Sequence, residues 1–206
     1  MVNRSKKPSL KFHAVTPARW SDLEELFGER GACGGCWCMF WRLPRKEWDA
    51  KRGNGNKTAL RKIVTAGRPA PGILAYAGQE PVGWCAIAPR EQYVALERSR
   101  LLKPVDDQPV WSISCLFIKR THRRQGISVL LLKAAVEFAA RQGAKIVEGY
   151  PVEPTMEKMP DPFLWHGVPS AFTAAGFTEA TRRSKTRPIM RFEINRSTGQ
   201  PQDGVQ

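Results

Sequence analysis

The chain has 206 residues, 42% of them hydrophobic and 25% charged, which suits one soluble globular domain with its own core. Its 33 Lys and Arg against 19 Asp and Glu leave a net charge of +14, an excess that favours a polyanionic or phosphate-rich ligand. No apolar run has the length of a membrane helix, five cysteines are an odd number for a disulfide framework, and "MVNRSKKPSLKF" lacks the apolar centre of a signal peptide; the expected setting is the cytoplasm, with reduced thiols.

Basic and polar tails are expected at 1–8 and 196–206, with one domain at 9–195 between them. "LKFHAV" alternates as a strand does. "TPARWSDLEELFGERG" reads as a helix with Thr16 as N-cap, Pro17 at its first position and Gly31 past its end. After a cysteine-rich loop, "PRKEWDAK" and "NKTALRKIVTAG" are two basic helical pieces separated by "RGNGN"; Arg42 to Arg68 holds nine basic residues against two acidic ones. "GILAYAGQEPVGWCAIAPR" is a hairpin turning at "GQEP", and "VWSISCLFIKR" is a long apolar strand. "GISVLLLKAAVEFAARQG" is the clearest helix: Lys133, Glu137 and Arg141 recur every four residues on one face, and Gly143 closes it. The strand "AKIVEGYPV", the short helix "PSAFTAAG" and a closing hairpin of "ATRRS" and "IMRFEI" complete the order. Partial alternation of helices and strands, with hairpins at each end, predicts a mixed α/β sheet.

The loop "GACGGCWCMFWR" places Cys33, Cys36 and Cys38 beside Trp37 and Trp41. A structural zinc site asks for four ligands, and here no second Cys pair or His pair follows. A redox pair belongs at a helix start after a strand, whereas this pair follows a helix. No metal is expected. Trp37, Met39 and Trp41, with Phe40, offer a broad apolar surface for an acceptor, the alternative being that they pack the loop onto the core.

The chemistry concentrates in "SISCLFIKRTHRRQGISVLLLKAAVEFA", a strand, a short basic turn and a long helix. First-turn amides of a helix lack internal partners and carry the positive end of its dipole, so they bind anions. A glycine lets a phosphate approach the backbone, and Arg123 and Arg124 add charge. The three spaced glycines of a dinucleotide fingerprint and the Gly-Lys-Ser/Thr of a P-loop are both missing.

"R-R-Q-G-I-S", Arg123 to Ser128, resembles motif A of the GNAT N-acetyltransferase superfamily, Gln/Arg-x-x-Gly-x-Gly/Ala, with Ser128 in place of the last small residue. The order of elements from about 9 to 194 resembles that fold too, and "PSAFTAAGF" with "RPIMRFEI" looks like its closing segment. The resemblance implies a single GNAT-like domain, α/β (α+β), with a mixed, mostly antiparallel sheet whose central strands, 110–118 and 145–150, splay apart. It implies acetyl-CoA as acetyl donor, its pantetheine arm bonded near Leu116, Phe117 and Ile118 and its diphosphate held by Arg123, Arg124, Gln125, Gly126, Ile127 and Ser128. The acceptor it implies is a small-molecule amine or a peptide; nucleic acid is allowed but not required, a membrane is not expected, and a homodimer is allowed.

The family's Glu on the long strand and Tyr on the short helix are absent, since "VWSISCLFI" has no carboxylate and Phe172 stands at the Tyr position. Glu148 becomes the leading base; it shares a strand face with Ile146 and Tyr150. Tyr150 and His166 are the other catalytic candidates. Two functions therefore compete: an N-acetyltransferase acting by direct sequential transfer, and a catalytically degenerate acetyltransferase fold serving as a basic RNA- or ribosome-binding module. A zinc-dependent interaction protein is a third reading.

Overall fold

Pairing of apolar, β-prone segments among the described residues builds a seven-stranded sheet of order β1-β2-β3-β4-β5-β7-β6. The structure is a computed structural model that describes residues 9–155 and 164–194, so the expected tails lie outside the described residues. The strands are β1 (Leu10–Ala14), β2 (Gly72–Ala77), β3 (Glu80–Pro89), β4 (Trp111–Ile118), β5 (Ile146–Gly149), β6 (Thr178–Arg182) and β7 (Pro188–Glu193). The helices are α1 (Trp20–Phe27), α2 (Arg45–Ala50), α3 (Asn54–Ala66), α4 (Val94–Glu97), α5 (Ile127–Arg141) and α6 (Pro169–Ala174). All neighbours pair antiparallel except β4 and β5, whose parallel register is Trp111↔Val147, Ser112↔Glu148 and Ile113↔Gly149.

One face of the sheet carries the largest apolar cluster, formed by α5, α6 and inward residues such as Ile73, Ile87, Ile113, Leu116 and Val147. The other face packs α1, α3 and the cysteine loop through Trp20, Leu23, Trp37, Met39, Leu60 and Trp84. A third cluster, with Tyr93, Leu96, Leu102 and Tyr150, lies under the segment joining β3 to β4.

The first helix differs from its sequence reading at both ends. Pro17–Arg19 form a 3₁₀ turn and the α-helix starts at Trp20; the Thr16 side chain caps nothing. Gly28, with φ of 61°, ends it three residues before the expected Gly31. Gly31 has another duty: a Cβ there would lie 2.3 Å from Trp37 Nε1, so its absence lets the indole cross the loop.

Where β4 and β5 pair, the buried charge is fully engaged. Glu148, 1% exposed, accepts Arg191 Nε at 2.8 Å on Oε1 and the Tyr150 hydroxyl at 2.9 Å on Oε2. That hydroxyl has a single proton and spends it on Glu148, so it accepts from Arg90 Nη1 at 2.8 Å and from Ser112 Oγ at 2.7 Å. Arg90 also lies 3.5 Å from Glu148 Oε2, and Arg191 closes a two-pronged pair on Asp106 at 2.6 and 2.9 Å. Removing one partner of such a buried pair strands the other. Arg191→Met is expected to cost about 3 kcal/mol, read as a lower urea midpoint with an unchanged m-value.

Candidate active site

Past Ile113 and Gly149 the central strands part. β4 continues to Ile118, but β5 has no further residue paired with it. At the fork β4 carries a bulge: Ala86 faces Cys115 and Ile87 faces Ile113, leaving Ser114 as the extra residue. A bulge frees backbone groups from the ladder and re-aims side chains. Sequence patterning gave no sign of it, because all of 112–116 is buried whichever way it points.

A cleft of about 640 Å³ opens along the unpaired half of β4. Leu116, Phe117 and Ile118 line it from the strand, and Arg30, Ala32 and Cys33 from the loop after α1. Arg123 and Ser128 line it from the basic turn, with Leu164, Trp165 and Ala171 from the segment into α6. Within the fork the Leu116 amide already donates to the Trp165 carbonyl at 2.7 Å, so residues 164–167 stand where a paired β5 would have been.

The basic turn has an anion cradle's geometry. Gly126, at φ of 77°, is the left-handed N-cap residue of α5, and a Cβ there would meet nothing within 4 Å, so the backbone lies open to a ligand. Arg124 also has positive φ, 60°, and Arg123 Nε donates to the Ile118 carbonyl at 3.0 Å, which folds the turn over the end of β4. Gln125 caps Thr121 through its side chain. Ile127, 4% exposed, points into the core instead, contributing only its backbone to the helix start.

The cysteine loop divides between surface and core. Cys33 is exposed at the cleft mouth. Cys36 is largely buried, which pushes its thiol up to about 11, with Cys38 adding to the shift. Cys38 takes a bond from Trp84 Nε1 at 3.1 Å and lies 3.3 Å from Cys115 Sγ. Among the described residues no group of three His, Cys, Asp or Glu side chains is placed to hold a metal. Of the three expected acceptor contacts, Trp37 and Met39 are 3% and 2% exposed and belong to the core, Trp37 stacking at 6.0 Å on Trp20. A left-handed turn at Trp37 and Cys38 (φ 46° and 53°) turns those side chains inward. Trp41 stays partly exposed, 5.7 Å from the His166 ring and 6.4 Å from Trp165.

The three expected catalytic residues fall into two places. Glu148 and Tyr150 sit in the closed network at the fork's base, where burial and the Glu148 charge hold the Tyr150 phenol well above its ordinary range. His166 is 4% exposed, 3.6 Å from the Trp165 ring, and its Nε2 lies 3.3 Å from Arg187 Nη2. Burial first, then the Arg187 charge, push its pKa well below 6.5. Phe172 is fully buried; a Cβ on Gly149 would fall 2.0 Å from its ring.

The profile of the acetyltransferase (GNAT) family matches residues 37–155. The chain belongs to that family. Solved structures share its fold at low identity. A GNAT-family acetyltransferase from Listeria monocytogenes is 8% identical over 90% of this chain and 95% of its own, with a TM-score of 0.54. The PaiA N-acetyltransferase of Thermoplasma acidophilum, solved with coenzyme A, is 13% identical over 90% and 99%, at 0.51. YncA of Salmonella typhimurium, solved with its cofactor acetyl-CoA, is 11% identical over 92% and 96%, at 0.50. No curated protein sequence matches significantly. Among the described residues no helix is long and apolar enough to cross a membrane.

Two measurements probe these placements. Gly126→Glu puts a carboxylate on the open side of the α5 N-terminus, and is expected to raise the coenzyme A dissociation constant at least tenfold by calorimetry. For His166, the unfolded chain binds a proton near pH 6.5 while the folded ring resists it, so its contribution is complete above that pH and is lost as pH falls below it. The gap in urea midpoint between wild type and His166→Phe should therefore shift against wild type from pH 7 to pH 5.

Proposed function

We propose that the protein is an acetyl-CoA-dependent N-acetyltransferase that transfers directly to a primary amine, in a ternary complex. The observation that supports this reading is the cleft that runs from Arg123 and Ser128, at the Gly126 cradle, along Ile118, Phe117 and Leu116 of the unpaired half of β4. Acetyl-CoA supplies a thioester, whose carbonyl carbon is open to a neutral amine. On this chain, the α5 first-turn amides, Arg123 and the Ser128 side chain would hold the diphosphate, while Phe117 and Ile118 wall the pantetheine arm.

The fork's base favours a positioning role for Glu148 and Tyr150, since both carboxylate oxygens and the phenol's proton are already engaged. The amine proton then leaves to solvent, without a carboxylate base on β4. This reading predicts acetyl-CoA binding by calorimetry and release of free CoA with an acceptor amine. It also predicts that Glu148→Gln lowers the urea midpoint yet keeps kcat of the folded enzyme within about fivefold, the scale of a structural perturbation and far from the 10²–10⁴ of a lost base. A hundredfold fall in kcat at unchanged acetyl-CoA affinity would restore Glu148 as the base.

A further inference from the structure

We infer that the acceptor amine carries a carboxylate, read by the half-buried Arg187 and the buried donors of His166 and Trp41 that lie beside Trp165. This rests on the acetyltransferase reading and names the substrate class for that site.

The cluster brings together three parts of the chain. Trp41 comes from the loop before α2, Trp165 and His166 from the segment preceding α6, and Arg187 from the turn between β6 and β7. Their contacts are direct: the His166 ring lies 3.6 Å from Trp165 and 5.7 Å from Trp41, and Arg187 Nη2 lies 3.3 Å from His166 Nε2. Trp165 also walls the cleft, so the cluster adjoins the donor path.

Its polar inventory is one-sided. A guanidinium has only donors, so Nε2 must accept from Arg187 and the ring proton must sit on Nδ1. His166 Nδ1 is buried with no hydrogen-bond partner, and so is Trp41 Nε1. Arg42, next along the chain, turns instead to the Tyr93 ring at 4.7 Å and to Gln92 at 3.0 Å, and stands outside the cluster. Among the described residues the half-buried Arg187 has no ion pair with a carboxylate, and burial alone lowers its pKa. Buried donors without acceptors are costly, and a buried cation without an anion more so. A carboxylate has the complementary inventory: it only accepts, it offers two oxygens to a guanidinium fork, and it neutralises the charge. The tautomer fixed by Arg187 also makes His166 a donor toward the acceptor, not a base. The chain's net charge of +14 draws such an acceptor in.

The test is a panel of free α-amino acids, their α-amides and simple alkylamines, offered to the full-length enzyme with acetyl-CoA and followed by CoA release. At least one amino acid should be acetylated with kcat/KM a hundredfold or more above its α-amide. Arg187→Met should cut that ratio below tenfold, chiefly through KM, with the acetyl-CoA dissociation constant unchanged. Trp41→Phe keeps the ring and removes one donor, and should reduce the ratio several-fold, which keeps the inference open to refutation if the arginine variant does not fold. Amides or alkylamines used as well as the amino acids would overturn it. So would Arg187→Met or Trp41→Phe leaving the ratio intact, or acetyl-CoA binding with no carboxylate-bearing amine bound or acetylated. Failure of the wild-type enzyme to bind acetyl-CoA would instead refute the proposed function, and this inference with it.

Discussion

Three residue pairs join β4 to β5, and the buried carboxylate of Glu148 fastens them. Parallel strands of that length have little ladder of their own, so the side chains must hold the register. Glu148 draws Arg191 from β7, Tyr150 from beyond β5 and Arg90 from the end of β3 onto one point, and Ser112 of β4 completes the ring. Asp106 and Glu97 pair with the arginines' outer faces, anchoring the long segment between β3 and β4 as well. A network with every member engaged is rigid, because any rotation opens a bond in a medium that cannot replace it. With their base held, the strands can part above it without the sheet coming apart.

The fork creates the asymmetry that catalysis needs. Along the open side of β4 run a glycine-capped helix start, the arginine turn and a cleft with apolar walls, a surface built for an extended phosphate-bearing ligand. Trp165 is common to that cleft and the Trp41–His166–Arg187 cluster, walling the first and lying 3.6 Å from the His166 ring of the second. The bond from Leu116 N–H to the Trp165 carbonyl fixes this shared wall to the strand itself.

What could be read in the sequence was what local chemistry dictates. α5 and its Gly126 start announce themselves through periodicity, a left-handed glycine and flanking charge, all within some twenty residues, and the closing hairpin and short helix are equally local. Alternation put Glu148 and Tyr150 on one face, as they are. Their partners were out of reach: Arg191 lies 43 residues on, Arg90 lies 60 residues before Tyr150, and Asp106 is 85 from Arg191. A half-exposed strand carboxylate and a locked one look alike without those arginines. Trp37, Met39 and Trp41 show the same limit, since a loop of consecutive left-handed residues has no period from which to read an inside and an outside. Arg187 shows in the sequence only as one of many basic residues, with nothing local to set it apart.

At the position of the missing tyrosine the short helix keeps a tightly packed ring. Phe172 fills the space that Gly149 leaves, and Gly167 approaches the same ring, with a Cβ there only 3.0 Å from it. Two glycines accommodating one ring form a matched packing solution for the side chain at that position. The donors around Arg187 argue against decay of the site. A fold kept only as a basic scaffold for RNA gains nothing from burying an indole N–H and an imidazole N–H without acceptors, and substitution by apolar residues of similar volume would relieve the cost. Phosphate recognition by RNA-binding surfaces uses exposed Lys and Arg, which this chain has in abundance elsewhere. Unpaired donors kept out of water, beside a wall of the donor cleft, make sense when a ligand supplies the missing acceptor during turnover.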